Sequence, residues 1–420
     1  MTMLNLTIRS LWNRKSTAIL TIFSIAISVT LLLGVENIRQ GIRGSFSSAI
    51  SGTDIIVGAR GGSLQLLLYS IFRIGNAPNN LSWESYNEIQ NDKRVKWTIP
   101  ISLGDSHRGY RVVGTNQDYF KYFRYGSKKA LQFSEGSSFS NIFDTVIGSE
   151  VGNKFNYKLN EEIVIAHGTG KKSFLKHDDR PFRIVGILKP TGTPVDQSLH
   201  VSLEGITAMH VDWESGAPPM EGEGLSKEEV LKLDLRAKEI TSFLIGLKSK
   251  INAFSIQREI NTFRKEPLSA IMPGVALQEL WNILRTAEIG LRAVTWFVLF
   301  AGLLGMMTAL LSGQNERRRE MAILRSVGAR PRTISFLLIF EATILTVSGI
   351  IFGLLFLYIT LFISQPLLES YFGLFIAIKQ PSINDFIILG IIILTGMLMA
   401  IFPAIRAYRQ SLADGMTIRL

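Results

Sequence analysis

The sequence has no cysteine and only five histidines among its 420 residues. Without cysteine, no disulfide can stabilise a part of the chain outside the cytosol, and cytosolic thiol chemistry is excluded as well. A phosphate-binding loop is also missing. The nearest candidate, the GTGKKS run at 168–173, fails because Ile165 stands where the motif needs its first glycine and Lys172 stands where it needs Ser or Thr. The chain is therefore predicted not to be an enzyme and not to hydrolyse ATP by itself.

Motifs for catalysis and metal binding are equally scarce. Neither G-x-S-x-G nor H-E-x-x-H occurs, and no histidine has the i, i+4 or H-x-H spacing of a metal site. Histidines in loops or on the surface are the favoured interpretation, with no catalytic residue and no bound metal. A zinc site is the alternative, if the fold brings together several of six residues that fall within 44 positions: His167, His177, Asp178, Asp179, His200 and His210.

Four long apolar runs account for the positive mean hydropathy of +0.24. A membrane-spanning helix needs about 20 apolar residues, with a range of roughly 17 to 25. The runs at 18–34, 293–311 and 386–402 fit this length, and the run at 334–364 is long enough to tilt or to continue as an interfacial helix. The first run could instead be a signal peptide, but its length and the absence of a small-x-small cleavage site favour an uncleaved anchor. The sequence predicts a membrane protein with four spans, arranged as one plus three.

The distribution of Lys and Arg predicts the orientation of these spans. Residues 1–16, 312–333 and 403–420 together carry 12 basic residues, whereas the short loop at 365–385 carries only Lys379. Because basic flanks stay in the cytosol, both termini and the connection between the second and third spans are predicted to be cytosolic. The remaining segment, 35–292, holds 32 basic and 28 acidic residues, so the formal charge of +11 is mostly a topological signal. No nucleic-acid partner is predicted.

Residues 35–292 are predicted to form a large domain outside the cytosol. At 258 residues the segment exceeds an ordinary domain of about 100–150 residues, so one compound domain or two subdomains is expected. Gly- and Pro-rich stretches at 75–80 and 213–229 are interpreted as loops or a subdomain boundary. A mixed α+β fold follows from β-type patterns at 54–57, 97–102, 110–113, 162–166, 182–188, 199–202 and 241–247, and from helical patterns at 63–72, 251–263 and 275–292.

The predicted organisation is therefore an α-helical membrane protein with a mixed α+β periplasmic domain between its first and second spans. Residues 35–50 and 275–292 are expected to continue the adjoining spans as helical stalks. The segments are a cytosolic N-terminal segment at 1–17, span one at 18–34, the periplasmic domain at 35–292, span two at 293–311, a cytosolic loop at 312–333, span three at 334–364, a periplasmic loop at 365–385, span four at 386–402 and a cytosolic tail at 403–420.

The cytosolic loop has a pattern of its own, NERRREMAILRSVGAR at 315–330. Met321, Leu324 and Val327 recur at helical spacing among arginines, which predicts a short amphipathic helix at the membrane surface. Gly328 is placed as the helix C-cap, and Pro331 prevents continuation. On pattern alone two interpretations remain open: a lipid-facing helix whose arginines hold phosphates, and a docking site for a cytosolic motor.

A few residues within the spans are unusual. Glu341 is costly in hydrocarbon and must be buried, paired or close to the interface; a packing role is favoured over a proton or substrate relay. Two small-xxx-small pairs, Ala301 with Gly305 and Gly349 with Gly353, could each seat a neighbouring span of this chain or of a second copy.

The membrane segments resemble a known family. NERRREMAILRSVGARP followed by ISFLLIFEA, together with the N-terminal NLTIRSLWNRKSTAILTIFSIAISV and the C-terminal PAIRAYRQSLADGM, is similar to the MacB, LolC and FtsX permease superfamily of type VII ABC transporters. The resemblance covers roughly 140 residues, and three stretches of the large domain resemble a bacterial subfamily. It implies an inner-membrane permease subunit whose coupling helix docks on a cytosolic ATPase through Arg318, Glu320, Met321, Leu324, Arg325, Val327 and Gly328.

The same resemblance implies the partners. ATP and Mg would be bound by the separate ATPase subunit and no cofactor by this chain, which is expected to pair with a second copy or a related permease within membrane lipid. It leaves room for a partner in the periplasm or outer membrane. The expected function is to use ATP-driven motion to move or release an extracytoplasmic cargo such as a lipoprotein, peptide or drug. The alternatives are an FtsX-like regulator that activates a periplasmic partner, an accessory permease of a metal-uptake system, and a membrane-anchored binding protein without a motor.

Overall fold

The structure is a computed structural model that describes residues 3–168, 180–212, 225–326, 328–372 and 380–409. The chain divides into two compact units. The bundle unit comprises residues 1–41, 285–367 and 376–420, and the α+β unit comprises residues 42–284 and 368–375. The helices are α1 Met3–Asn13, α2 Lys15–Ser48, α3 Ser63–Leu67, α4 Trp83–Gln90, α5 Asp118–Tyr122, α6 Ser149–Phe155, α7 Leu203–His210, α8 Lys227–Val230, α9 Ala253–Asn261, α10 Pro273–Ser326, α11 Pro331–Phe372 and α12 Ile383–Arg409.

The strands all belong to the α+β unit. They are β1 Ile55–Ala59, β2 Leu81–Ser82, β3 Val95–His107, β4 Tyr110–Thr115, β5 Arg124–Tyr125, β6 Lys129–Ala130, β7 Phe133–Gly136, β8 Asp144–Ile147, β9 Glu162–Ile163, β10 Ala166–His167, β11 Phe182–Leu188, β12 Ser198–Ser202, β13 Glu239–Ile240, β14 Ser242–Leu247 and β15 Leu268–Ile271.

Four helices are long and apolar enough to cross a membrane: α2, α10, α11 and α12. This confirms the predicted count of four spans. Each helix is longer than the predicted apolar run, because residues outside the run continue the helix at both ends, and α12 continues even past Pro403. Helix α2 continues through Ser48 and α10 begins at Pro273, as expected for the stalks. Helix α11 continues through Phe372, so the first residues of the predicted 365–385 loop are helical.

The bundle has a continuous apolar core with an apolar exterior. Ile25, Val29 and Leu33 of α2 are buried against residues of the other long helices, among them Leu303, Met306, Leu345 and Ile392. The outward faces carry exposed aromatic and aliphatic side chains such as Phe297, Phe352 and Phe362. A helix that is apolar all round is typical of lipid surroundings, where the inner face packs and the outer face contacts acyl chains.

The α+β unit is organised by one mixed sheet of eleven strands. Nine of them follow the order β15-β1-β14-β3-β4-β12-β8-β11-β7, with β10 beside β3 and β9 beside β11. The thirteen-residue β3 joins the two halves of the sheet, because its first part pairs with β14 and its later part with β4. The β4–β12 and β8–β11 pairs are parallel. One continuous sheet therefore runs through the region for which the sequence predicted one compound domain or two subdomains.

Most of the predicted strands coincide with observed ones. The patterns at 54–57, 97–102, 110–113, 182–188, 199–202 and 241–247 fall within or overlap β1, β3, β4, β11, β12 and β14. The single strand predicted at 162–166 is wrong: β9 pairs with β11, β10 pairs with β3, and the residues between them turn from one neighbour to the other. Of the predicted loop at 213–229, residues 213–224 lie outside the described part of the chain, and residues 227–229 belong to α8.

Candidate functional site

The Arg-rich segment is the last part of α10. The sequence predicted a separate short helix here, and this was wrong: α10 runs without interruption from Pro273 to Ser326. The glycine between span and segment, Gly313, lies inside the helix, where glycine lowers stability by only about 1 kcal/mol and does not break the ladder. One helix thus carries both the second span and the Arg-rich segment.

The end of this helix is as the sequence predicted. Gly328 has φ +100°, the left-handed region that favours glycine, and its amide donates to the carbonyl of Arg325 at 3.0 Å. Helix α11 then begins with Pro331 in its first turn, where a missing N–H costs nothing. Gly328 and Pro331 therefore separate two long helices by a short turn.

The side chains proposed for docking are only partly described. Arg325 is partly exposed, and the neighbouring Ile323 is 56% exposed. The sequence reasoning did not single out Ile323. The side chains of Arg318, Glu320, Met321 and Leu324, and all of Val327, lie outside the described part of the structure.

Close to the predicted start of the cytosolic loop, α10 contacts the beginning of the chain. A Cβ atom built on Gly313 would come within 2.0 Å of Arg14 Nη1. Gly313 is thus small because the Arg14 guanidinium lies directly against the helix backbone. A glycine inside an apolar helical pattern was the signal that could have identified this contact.

One of the two small-residue pairs packs inside the chain. A Cβ on Gly349 would lie 2.6 Å from Ile25 Cγ2, and a Cβ on Gly353 would lie 2.8 Å from Val29 Cβ. Thr30 Oγ1 also donates to the Gly353 carbonyl at 2.9 Å. Helices α2 and α11 therefore approach closely along this stripe.

The second pair does not pack in this way. Ala301 and Gly305 are exposed, and a Cβ on Gly305 would meet nothing within 4 Å. The small residue that seats α2 is the neighbouring Gly302, whose Cβ would lie 2.9 Å from Ser28 Oγ. Ser28 Oγ donates to the Val298 carbonyl of α10 at 3.3 Å.

Glu341 lies in the buried seam of α11. It is 4% exposed and follows Ile334 and Leu338, which are 3% and 1% exposed, at core spacing. Leu345, one turn further, is equally buried. The burial expected for a carboxylate in a span is thus present.

A network of charged side chains joins α2 and α10 just beyond the predicted ends of their spans. Glu36 accepts hydrogen bonds from Arg39 Nε at 3.0 Å, from Gln40 Nε2 at 2.8 Å and from Arg292 Nη2 at 3.2 Å. Arg39 Nη1 lies 3.8 Å from Glu288 Oε2. The sequence reasoning missed this network, because its members are separated by about 250 positions along the chain.

The histidines of the α+β unit have separate environments. His200 is fully buried, and its ring packs at a tilt against that of Tyr119 with centroids 4.8 Å apart. Burial lowers the pKa of His200 to about 3. His107 binds the Val164 carbonyl through Nδ1 and the Tyr157 hydroxyl through Nε2, and burial lowers its pKa as well. These two rings fill the interior and make local hydrogen bonds or ring contacts.

His210 differs from the other two. Its Nε2 lies 3.5 Å from Asp105 Oδ1, and although burial opposes the charge, the Asp105 carboxylate outweighs it and raises the pKa of His210. Within the ranges that the structure describes, no three His, Cys, Asp or Glu side chains are placed to hold a metal ion. The side chain of His167 and all of His177, Asp178 and Asp179 lie outside those ranges.

A buried arginine binds the C-terminal end of α7. Arg180 is 1% exposed, pairs with Asp212 and donates to the carbonyls of Ala208 at 2.8 Å and Leu225 at 3.0 Å. Arg180 therefore holds residues 212 and 225 close to each other. Sequence reasoning missed Arg180, since nothing local distinguishes it from the exposed arginines.

The geometry defines the class of protein: a membrane protein of four apolar helices with an α+β domain inserted between the first and the second. The model for the MacB-like periplasmic core domain matches residues 18–262, and the model for the FtsX-like permease C-terminal region matches residues 292–412. The first match alone spans more than half of the chain. The chain belongs to the family of MacB-like and FtsX-like permeases.

Individual relatives are distant. The macrolide export ATP-binding/permease protein MacB of Campylobacter jejuni subsp. jejuni serotype O:23/36 (strain 81-176) is 23% identical over 182 residues, which is 42% of this chain and 25% of that protein. The chain thus spans a quarter of the length of this curated relative. The periplasmic region of MacB from Actinobacillus actinomycetemcomitans superposes with a TM-score of 0.35 at 10% identity, covering 56% of this chain and 95% of that one. The extracellular domain of the noncanonic ABC-type transporter YknZ from Gram-positive bacteria superposes with a TM-score of 0.30 at 14% identity, covering 52% and 98%.

Proposed function

We propose that this chain is the permease subunit of an inner-membrane ABC transporter, and that it passes ATP-driven motion of a separate cytosolic ATPase to its α+β domain in order to move or release an extracytoplasmic cargo. The ATPase subunit would bind ATP and Mg, and two permease chains would assemble with two ATPase copies. Both termini and the Arg-rich end of α10 would face the cytosol, as the basic flanks predict.

The observation that supports this proposal is the continuity of α10. The helix begins two residues after β15 of the sheet and ends with the Arg-rich segment, so one helix carries the chain from the α+β domain to the proposed docking site. At about 1.5 Å rise per residue, a helix of 54 residues is longer than the hydrocarbon thickness of a membrane, as this proposal requires of a transmitting element.

Docking of the ATPase is tested by co-purification. We expect Leu324→Asp or Arg325→Glu to abolish co-purification of an ATPase subunit, because each places a wrong charge in the proposed contact. Arg258→Glu on the exposed face of α9 is the matched control, and its complex should remain intact. An unchanged complex with both docking variants would refute the proposed contact.

Transmission through α10 is tested separately with Gly290. A Cβ on this exposed residue would meet nothing within 4 Å, so substitutions there act on the helix and not on packing. Proline at position 290 costs roughly 3 kcal/mol or more and breaks the ladder, whereas alanine strengthens the helix by up to about 1 kcal/mol.

We expect the Gly290→Pro complex to assemble and hydrolyse ATP but to fail in complementing a deletion strain, measured as envelope lipids and proteins by mass spectrometry. Gly290→Ala should complement it fully. Full complementation by Gly290→Pro would show that α10 is not the transmitting element.

A further inference from the structure

The charged network between α2 and α10 is built around one carboxylate. The Glu36 carboxylate binds the side chains of Arg39, Gln40 and Arg292. Arg39 also forms an ion pair with Glu288. Three of these five residues lie on α2 just after the first predicted span, and two lie on α10 just before the second. The network therefore joins the two helices at the point where they leave the hydrocarbon.

Partial burial makes this network stronger than an ordinary surface ion pair. The side chains of Glu36, Arg39 and Glu288 are only 19%, 19% and 20% exposed, and that of Arg292 is 49% exposed. Isolated exposed pairs contribute little, whereas several charges held in one partly buried arrangement are screened less by salt. Two acids against two arginines leave no net charge, so the group is not arranged to hold a lipid phosphate.

Helices α2 and α10 are also in contact within their predicted spans. Ser28 of α2 donates to the Val298 carbonyl of α10, and Gly302 lets the Ser28 hydroxyl lie against the α10 backbone. The Ser28 hydroxyl makes one long hydrogen bond at 3.3 Å, so this contact by itself fixes the register of the two helices only weakly. A carboxylate that receives donors from both helices permits one register only.

We propose that Glu36, Arg39, Glu288 and Arg292 form an ion-pair clamp that locks the register of α2 and α10, so that α2 moves together with α10 when the Arg-rich end of α10 is displaced. The displacement itself rests on the proposed function, whereas the lock does not. Glu36 is the positioning residue, because its carboxylate accepts hydrogen bonds from Arg39 of α2 and from Arg292 of α10.

The clamp is tested by spin-label distances on the full chain in lipid nanodiscs. The absence of native cysteine allows a clean label pair at Ile38→Cys and Ile289→Cys, since these side chains are 42% and 58% exposed on the two helices. We expect one narrow distance distribution in the parent. Glu36→Gln, which keeps the shape but removes the charge, should increase the population outside that distribution about fivefold.

A matched control uses Arg285→Gln, which removes an exposed arginine of α10 that pairs with none of the described residues. Its distribution should equal that of the parent. Arg292→Gln should broaden the distribution as Glu36→Gln does, and the double variant should add little, because both changes remove the same contact. A parent-like distribution in Glu36→Gln with the label pair intact would overturn the clamp.

A second measurement separates the clamp from the proposed function. With the ATPase partner and ATP bound, the label distance in the parent should stay unchanged while the same distance in Glu36→Gln shifts. A distance that shifts in the parent would overturn the clamp, since the helices then slide. Failure of the proposed function would appear instead as absence of the co-purifying ATPase, with the nucleotide-free distances of the parent and of Glu36→Gln still different.

Discussion

His200→Phe is expected to make the α+β unit more resistant to acid. His200 is fully buried between the rings of Tyr119 and Phe120, and neither ring nitrogen makes a hydrogen bond of ordinary geometry with the described residues. Phenylalanine keeps the ring and its packing while removing the titratable nitrogens. The nearby Arg73 guanidinium further disfavours a proton on His200.

The size of the effect follows from the pKa. Burial lowers the pKa of His200 from 6.5 to about 3. Below pH 6.5 the unfolded chain binds a proton that the folded chain excludes, so the free energy of unfolding falls with pH until the folded pKa is reached. The loss is about 1.4 kcal/mol per pH unit, or roughly 2 kcal/mol between pH 6.5 and pH 5. Above pH 6.5 this contribution to stability is fully present.

The assay is thermal unfolding followed by tryptophan fluorescence, with Trp97 stacked on Tyr122 as a reporter inside the α+β unit. A loss of roughly 2 kcal/mol corresponds to a melting temperature lower by about 4–8 °C for a domain of this size. Between about pH 7.5 and about pH 5, the parent should lose that much more than His200→Phe. An equal loss in both proteins would refute the reasoning.

His210→Asn should behave in the opposite way and serves as a control. Because Asp105 raises the pKa of His210, its contribution to stability is present below the unfolded pKa and is lost as pH rises through the folded one. Relative to the parent, this variant should therefore be destabilised more at the acidic pH than at the neutral one. The same melting-temperature series measures both variants.

Two further variants test packing. Gly353→Leu should destabilise the bundle by roughly 1–3 kcal/mol or more, because its side chain would overlap Val29 of α2. The control Gly305→Leu places its side chain in open space and should leave the detergent-solubilised chain as stable as before. Equal melting temperatures of the two variants would contradict the assigned contact. Arg180→Met should cost the α+β unit roughly 3–5 kcal/mol, because it leaves the Asp212 carboxylate without its arginine partner. Arg183→Met is the more exposed control, and equal melting temperatures of the two variants would count against the role of Arg180.

The elements that sequence reasoning located are those defined by neighbours along the chain. Four apolar runs predicted four long helices, and alternating or continuous apolar stretches predicted β3, β11 and β14. The short strands β8 and β15 were missed, since four residues that are all or mostly buried do not form a pattern of their own. The separate amphipathic helix was a wrong prediction, because charge and periodicity mark a face of a helix but do not mark where the helix begins.

Sequence alone determined that this chain is a membrane protein with one span, a large α+β domain and three further spans, because hydrophobic length and Lys/Arg distribution are local quantities. Only the tertiary structure decided that Gly349 and Gly353 are packed while Gly305 is open, and that Glu36 on α2 binds Arg292 on α10. Contacts between residues hundreds of positions apart depend on which helices pair and on which face each helix turns to its neighbour. These arrangements cannot be derived from any one stretch of sequence. The Arg-rich segment at 315–330 was visible in the sequence, but its place at the end of one unbroken helix was visible only in the fold.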